Sequence, residues 1–129
     1  MNGKMRVDRT ILHNGNVLVS KPWGQYIDIY RSDTVVFKRI DISPGEEISY
    51  QYHHDRDEFW YISSGHGVLI IDDDQREVLA GDCVIIRKEV KHQIKNTGNL
   101  TLTFFEMQCG DCSEEDIVRL TDKYDRNKA

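Results

Sequence analysis

The 129-residue chain lacks the common glycine-rich phosphate loops: it has nine glycines, but no G-x-G-x-x-G and no G-x-x-x-x-G-K-[ST] string. No run approaches the roughly 18 apolar residues that cross a bilayer. The first residues, Met1-Asn2-Gly3-Lys4-Met5-Arg6, lack the apolar stretch of a secretory signal. Both absences point to a cytoplasmic protein with no membrane partner. Cysteine is scarce and odd in number, at positions 83, 109 and 112, which argues against a secreted disulfide framework. Cys109-Gly110-Asp111-Cys112 has neither a second cysteine pair nor a strand-to-helix setting, so its reading is structural. Positive charge is also short. The net charge is −5, and the one dense basic stretch, Arg87 to Lys91, is broken by Glu89. A protein that grips a nucleic-acid backbone usually shows a basic stripe, so no nucleic-acid partner is expected. A local basic pocket for an anionic small molecule is still compatible with an acidic chain.

What is present is a globular balance, 39% apolar and 30% charged. At roughly 150 residues per domain the length predicts one domain over 1–129, with a core over about 20–110. A chain of this size buries about two thirds of its extended surface. Short apolar runs separated by turn signals predict strands: Val17–Val19, Gly24–Tyr30, Thr34–Ile42, Glu58–Ile62, Gly67–Ile71, Asp82–Ile86, His92–Lys95 and Leu100–Met107. Ser43-Pro-Gly45, Ser-Ser-Gly65 and Asp72-Asp-Asp74 supply the turns. Even spacing of short strands predicts an all-β antiparallel sandwich or barrel. Near the C-terminus, Ser113 followed by acids and then Ile117, Val118, Leu120 and Tyr124 predicts a short helix over 113–124.

Four residues could converge inside such a barrel. Gln51 and His53 share one face of an extended backbone, Glu58 opens the next strand, and His92 lies far along the chain. An amide oxygen, two imidazoles and a carboxylate suit a borderline divalent ion: zinc first, with manganese, cobalt, nickel or iron also accommodated.

The spacing of these residues resembles the cupin superfamily. Gly45, Gln51-x-His53, Glu58 and Gly65 match the first cupin motif, and Gly81, His92 and Asn96 the second, where Arg87 and Glu89 replace the usual proline and glycine. The glycines at 45, 65 and 81 suit turns that need φ > 0. Lys21-Pro-Trp-Gly24, Phe37-Lys-Arg-Ile40, Gln51-Tyr-His-His-Asp-Arg-Asp-Glu-Phe-Trp60 and Phe105-Glu-Met-Gln108 further resemble the cupin domain of type II mannose-6-phosphate isomerases. Glutamine at the first ligand position is a feature of that family. The resemblance implies a cupin double-stranded β-helix, that is, a jelly-roll barrel with a short C-terminal helix, standing here without the family's N-terminal nucleotidyltransferase domain. It also implies a metal-dependent isomerase that interconverts mannose 6-phosphate and fructose 6-phosphate through an enediol, in carbohydrate metabolism or polysaccharide biosynthesis. Asp55 and Phe59 stand where the family usually has histidine, and Asp57 where it has a small residue. These departures keep two alternatives open: an isomerase or epimerase acting on another sugar or sugar nucleotide, and a non-catalytic cupin that binds sugar or metal.

In this reading Gln51, His53, Glu58 and His92 hold the metal. Lys38, His54 and Asp57 are unranked candidates for the acid/base group. One of Lys38 and Arg39 must face inward on an alternating strand, and an inward lysine is costly unless it meets an anion. Arg56, Arg87, Arg119 and Arg126 are the candidate phosphate anchors; on the predicted helix, Arg119 could instead pair with Glu115. Trp23, Tyr50, Tyr52, Trp60 and Tyr61 could line a sugar pocket, with Trp60 and Tyr61 also readable as core. Exposed sheet edges suggest a homodimer.

Overall fold

The computed structural model describes residues 8–113, 115–124 and 126. Among them are twelve strands: β1 (Arg9–Ile11), β2 (Val17–Lys21), β3 (Gly24–Arg31), β4 (Val35–Ile42), β5 (Tyr50–Tyr52), β6 (Arg56–Ser64), β7 (His66–Ile71), β8 (Asp74–Leu79), β9 (Cys83–Ile86), β10 (His92–Lys95), β11 (Leu102–Gly110) and β12 (Val118–Thr121). They form a seven-stranded sheet, β1-β2-β3-β4-β11-β6-β9, and a five-stranded sheet, β12-β5-β10-β7-β8. Every pairing is antiparallel. No helix among the described residues is long and apolar enough to cross a membrane.

The interior is filled by alternate residues, as the period of two in a strand requires. On β4, β6 and β11 these inward positions change character along the strand. Ile40 and Ile42, Trp60 and Ile62, and Leu102 and Phe104 form one end, and they pack with Leu69 and Ile94 of the second sheet into a buried apolar cluster. Lys38, Arg56, Glu58, Glu106 and Gln108 form the other end, all buried. Register aligns the polar positions: Glu106 lies opposite both Lys38 and Trp60, and Gln108 lies opposite Glu58. One end of the sandwich is thus a dry core and the other a lined polar pocket.

Four elements differ from expectation: β1, β5 and β8 lie outside the predicted strands, and β12 stands where a helix is expected. The predicted helix over 113–124 is replaced by a single turn and a strand. Asp116 N–H donates to the Ser113 carbonyl at 3.1 Å, closing that turn. The chain then pairs as β12 with β5, Val118 opposite Tyr52 and Arg119 opposite Gln51. β-branched Ile117 and Val118 favour an extended chain once an edge strand is available to pair with. The capping pattern at Ser113 was therefore a real turn signal with a strand behind it. β8 was also unread, because only Val78 of its six residues is buried. Its hairpin with β7 turns on Asp72 and Asp73, with φ of 46° and 73°, the two-residue geometry that suits the twist of paired strands. The expected positive φ holds at Gly45, Gly65 and Gly81. Glu89, standing where the cupin motif usually has glycine, also adopts φ 66°.

Candidate metal centre and pocket

His53, Glu58 and His92 come together from the loop after β5, from β6 and from β10, with one ligand atom of each within 4.8 Å of the others. All three are buried. His53 Nε2 lies 3.2 Å from Glu58 Oε2, and His92 Nε2 lies 3.9 Å from Glu58 Oε1. Tetrahedral ligands held about 2.1 Å from an ion stand about 3.4 Å apart, so the spacing is of the right size.

Both imidazoles are turned to present a lone pair. His53 Nδ1 lies 2.6 Å from the Asp116 carbonyl, and His92 Nδ1 lies 2.9 Å from the Val90 carbonyl. A carbonyl can only accept, so each Nδ1 carries the proton and each Nε2 is bare. His92 Nε2 is buried and has no hydrogen-bond partner. An orphaned acceptor aimed at a carboxylate and a second imidazole is the arrangement a cation satisfies. Burial lowers the His53 pKa to about 4, and it also lowers that of His92. Both rings are therefore neutral at pH 7, the form that ligates. Burial alone would raise the Glu58 carboxyl, but nearby positive charge outweighs it and holds the group down to about 2. With the imidazoles neutral, the partner that keeps its charge is Arg56. Its Nε donates to Glu58 Oε2 at 2.9 Å, while Trp60 Nε1 donates to Oε1 at 3.0 Å. The residues fit a divalent ion.

Gln51, the fourth expected ligand, points its amide nitrogen at His53 Nε2, at 3.3 Å, and takes the Ser49 hydroxyl on its oxygen at 2.7 Å. Exchanging the two isosteric ends of the amide would turn the oxygen toward the triad, with the serine then accepting.

The pocket beside the triad has a cavity volume of about 90 Å³ and is open to solvent on one side. Its lining includes five cationic side chains, Lys21, Lys38, Arg56, Arg119 and Arg126, against two carboxylates, Glu58 and Glu106. Lys38 is the inward member of its pair, buried, with Nζ 4.0 Å from the Tyr26 ring centroid. The anion it meets is Glu106, directly opposite on β11. Burial and the Glu58 charge raise the Glu106 carboxyl to about 7, against the pull of Lys38 and Arg56. Gln108 Nε2 donates to Glu106 Oε2 at 2.7 Å.

Glu106 and Gln108 were not foreseen, and neither was Asp116. Its carboxylate accepts from the backbone N–H groups of His54 and Asp55 at 3.0 and 2.9 Å. Arg119 lies on β12 and lines the pocket, so the helical pairing with Glu115 does not arise. Arg126 lines it too, but its fork is held by Asp122 at 2.8 and 3.1 Å.

Three of the expected acid/base and phosphate-binding residues lie outside the pocket, as do the expected pocket aromatics Tyr50, Tyr52 and Tyr61. His54 is exposed and bonds Glu89, which raises its pKa. Asp57 faces out from β6 and accepts from Lys88 N–H at 2.9 Å. Arg87 is exposed and sits 3.7 Å from Asp57. The alternation of β6 explains this: Arg56 and Glu58 face inward, so Asp57 cannot. Of the aromatics, Trp23 and Trp60 are buried and line the pocket. Tyr61 is half exposed on the outer face rather than in the core, and Tyr50 bonds Asp73 at the surface. Cys83, Cys109 and Cys112 are free thiols.

Two antiparallel sheets enclosing a His/Glu/His cluster define a cupin, and the chain superposes on the cupin domain of Schizosaccharomyces pombe Cnp3 with a TM-score of 0.65 at 11% identity, over 67% of this chain and 64% of that one. Within that class, residues 8–122 match the family described as mannose-6-phosphate isomerase C-terminal, and the chain belongs to that family. It is 35% identical over 125 residues to a mannose-1-phosphate guanylyltransferase of Salmonella montevideo, covering 96% of this chain and 26% of the relative. It is 37% identical over 109 residues to the xanthan biosynthesis protein XanB of Xanthomonas campestris pv. campestris (strain B100), covering 84% of this chain and 23% of that protein. The chain thus spans about a quarter of the length of these relatives. They correct one expectation. The interconversion of mannose 6-phosphate and fructose 6-phosphate finds no support in their names, which are those of a guanylyltransferase and a polysaccharide biosynthesis protein.

Proposed function

We propose that this chain is a metal-binding cupin that takes an anionic sugar derivative, a sugar phosphate or sugar nucleotide, into the pocket beside the triad. The observation that carries this reading is the pairing of a His53–Glu58–His92 cluster with a lining of five cations and two carboxylates. Arginine forks suit phosphate oxygens, and Trp23 and Tyr26 give a sugar ring an apolar wall. The names of the relatives, a mannose-1-phosphate guanylyltransferase and a xanthan biosynthesis protein, support testing mannosyl phosphate esters first and a role in polysaccharide biosynthesis. A divalent ion held by the triad would polarise a sugar hydroxyl or carbonyl oxygen. Isothermal titration of zinc-loaded protein with mannose 1-phosphate, GDP-mannose and free mannose tests the reading. Heat is expected from the phosphate esters and not from mannose, and silence from all three sinks it.

A second reading, an isomerase or epimerase on a different sugar or sugar nucleotide, is favoured by Glu106. A buried carboxyl with a pKa of about 7 can give and take a proton near neutral pH. Deuterium entering the carbon skeleton of a bound ligand in heavy water, read by NMR, would support it. Binding without any exchange leaves the binding module.

A further inference from the structure

Gln108 lines the pocket and is 1% exposed, yet its Oε1 accepts no hydrogen bond from the protein. A buried acceptor without a donor is rare in folded chains and calls for a reason. The other end of the amide fixes its direction. Nε2 donates to Glu106 Oε2 at 2.7 Å, two positions back on the same inward face of β11. An ionised carboxylate only accepts, so the nitrogen takes that side and Oε1 is turned from it.

Neither cross-strand neighbour supplies a donor. Val36, opposite on β4, is buried and has no polar side-chain atom. Glu58, opposite on β6, is a carboxylate whose two oxygens already accept from Arg56 and Trp60 at 2.9 and 3.0 Å. The side that remains is the pocket itself.

We propose that Gln108 is a specificity-determining residue: its Oε1 accepts a hydrogen bond from a hydroxyl of the bound sugar, and the site selects ligands that carry that hydroxyl. This rests on the reading above, that the pocket takes a sugar phosphate or sugar nucleotide. In the free protein a water molecule can serve the same atom. A ligand that enters displaces that water and loses affinity unless it brings a donor of its own. Without one, Oε1 stays buried and unpaired. A site built to hydrogen-bond a hydroxyl rejects the analogue that lacks it far more strongly than an apolar site rejects a missing methylene. Position narrows the choice of group. Gln108 and Glu58 are register partners on adjacent strands, about 4.8 Å apart, so the selected hydroxyl lies beside the triad carboxylate.

The test is isothermal titration of the zinc-loaded full chain at about pH 8, where Glu106 is ionised. The probes are mannose 1-phosphate and analogues that each lack one hydroxyl. One of these is expected to bind at least about 10-fold more weakly than the parent ester. The analogue with fluorine at that same position fills the space but cannot donate, and is expected to be as weak. Gln108→Met keeps the length of the side chain and removes the acceptor. It is expected to bind the parent ester and the deoxy analogue within about 2-fold of each other. Gln108→Glu keeps an acceptor at that place and is expected to keep the preference. Should Gln108→Met fail to fold, Gln108→Leu removes the same atom.

A parent ester that binds no better than any deoxy analogue overturns this inference alone. So does a fluoro analogue as tight as the parent, since the hydroxyl then does not donate. A deoxy penalty that persists in Gln108→Met or Gln108→Leu overturns it too, since another residue then reads the hydroxyl. Silence from the parent ester and from GDP-mannose sinks the reading of the pocket, and this inference falls with it.

Discussion

Arg56 holds its Nη2 3.2 Å from His53 Nε2, the nitrogen that His53 would offer to a metal ion. The same guanidinium lies 2.9 Å from Glu58 Oε2. Guanidinium and metal therefore contend for the same two ligand atoms, and each neutralises the buried Glu58 carboxylate. Removing one partner of a buried pair leaves an uncompensated charge, at a cost of about 3 kcal/mol. Arg56→Gln is expected to lower the melting temperature of chelator-treated protein by about 10 °C and to show a larger rise on adding zinc than the unmodified chain. Scanning fluorimetry with and without zinc measures both. An unchanged zinc response would mean that Arg56 and the metal do not share these atoms.

His92 offers a cleaner separation of metal binding from folding. Its Nδ1–H has a partner, but its buried Nε2 has none. A buried polar atom left unsatisfied costs about 1–3 kcal/mol, whereas a typical hydrogen bond contributes about 1. His92→Leu gives up the bond to Val90 and removes the orphan. The variant should bind no zinc by elemental analysis, yet unfold in urea within about 1 kcal/mol of the chelated parent, on the same magnitudes. A collapse of stability in chelated His92→Leu would contradict this account.

Much of this site was legible in the sequence because metal ligands keep fixed spacings. The inward turn of Lys38 was bounded by strand alternation alone. The interior acid was not. Phe104, Phe105, Glu106 and Met107 read as one apolar strand with a single charge in it, and only the register with Lys38 and Trp60 shows that Glu106 faces inward. β8 was hidden for the opposite reason: an edge strand with one buried residue leaves no alternation to read. The segment after Ser113 misled because a capping turn is local, whereas the partner strand β5 lies more than sixty residues earlier in the chain.

Two buried groups should pull stability in opposite directions with pH. His53 has its pKa lowered from 6.5 to about 4. Between those values the unfolded chain binds the proton and the folded one does not, so stability rises with pH and is lost on acidification, by about 3 kcal/mol in all. His92 acts in the same direction. Glu106 has its pKa raised from 4.5 to about 7. There the folded chain binds the proton and the unfolded one does not, so stability falls as pH rises through that window, by a similar amount. Urea unfolding of chelated protein from about pH 5 to about pH 8 should therefore show a shallow profile. Glu106→Gln should turn it into a steady rise and be more stable than the parent at the alkaline end. Parallel profiles for the two proteins would show that Glu106 is ionised throughout.

Asp116 is expected to act on the metal without touching it. Its carbonyl fixes the His53 tautomer through Nδ1, and its carboxylate holds the backbone at His54 and Asp55. It also stands at the entry to β12, which sets Arg119 opposite Gln51, so one residue ties the ligand loop to the cationic wall. Burial would raise its carboxyl, but the two N–H donors and the nearby histidines outweigh that and keep it below the ordinary aspartate value. Its contribution is therefore present above that value and is lost as pH falls through the lowered pKa. Asp116→Ala keeps the carbonyl but frees the segment that carries it. Loss of such an outer partner weakens metal binding by about 10–100-fold. Competition for zinc against a chromophoric chelator reads that loss at neutral pH. Ser113→Ala removes only the hydroxyl that bonds Glu115 N–H at 3.1 Å, and should leave zinc affinity where it was. Equal zinc affinity in all three proteins would show that His53 is oriented by packing alone.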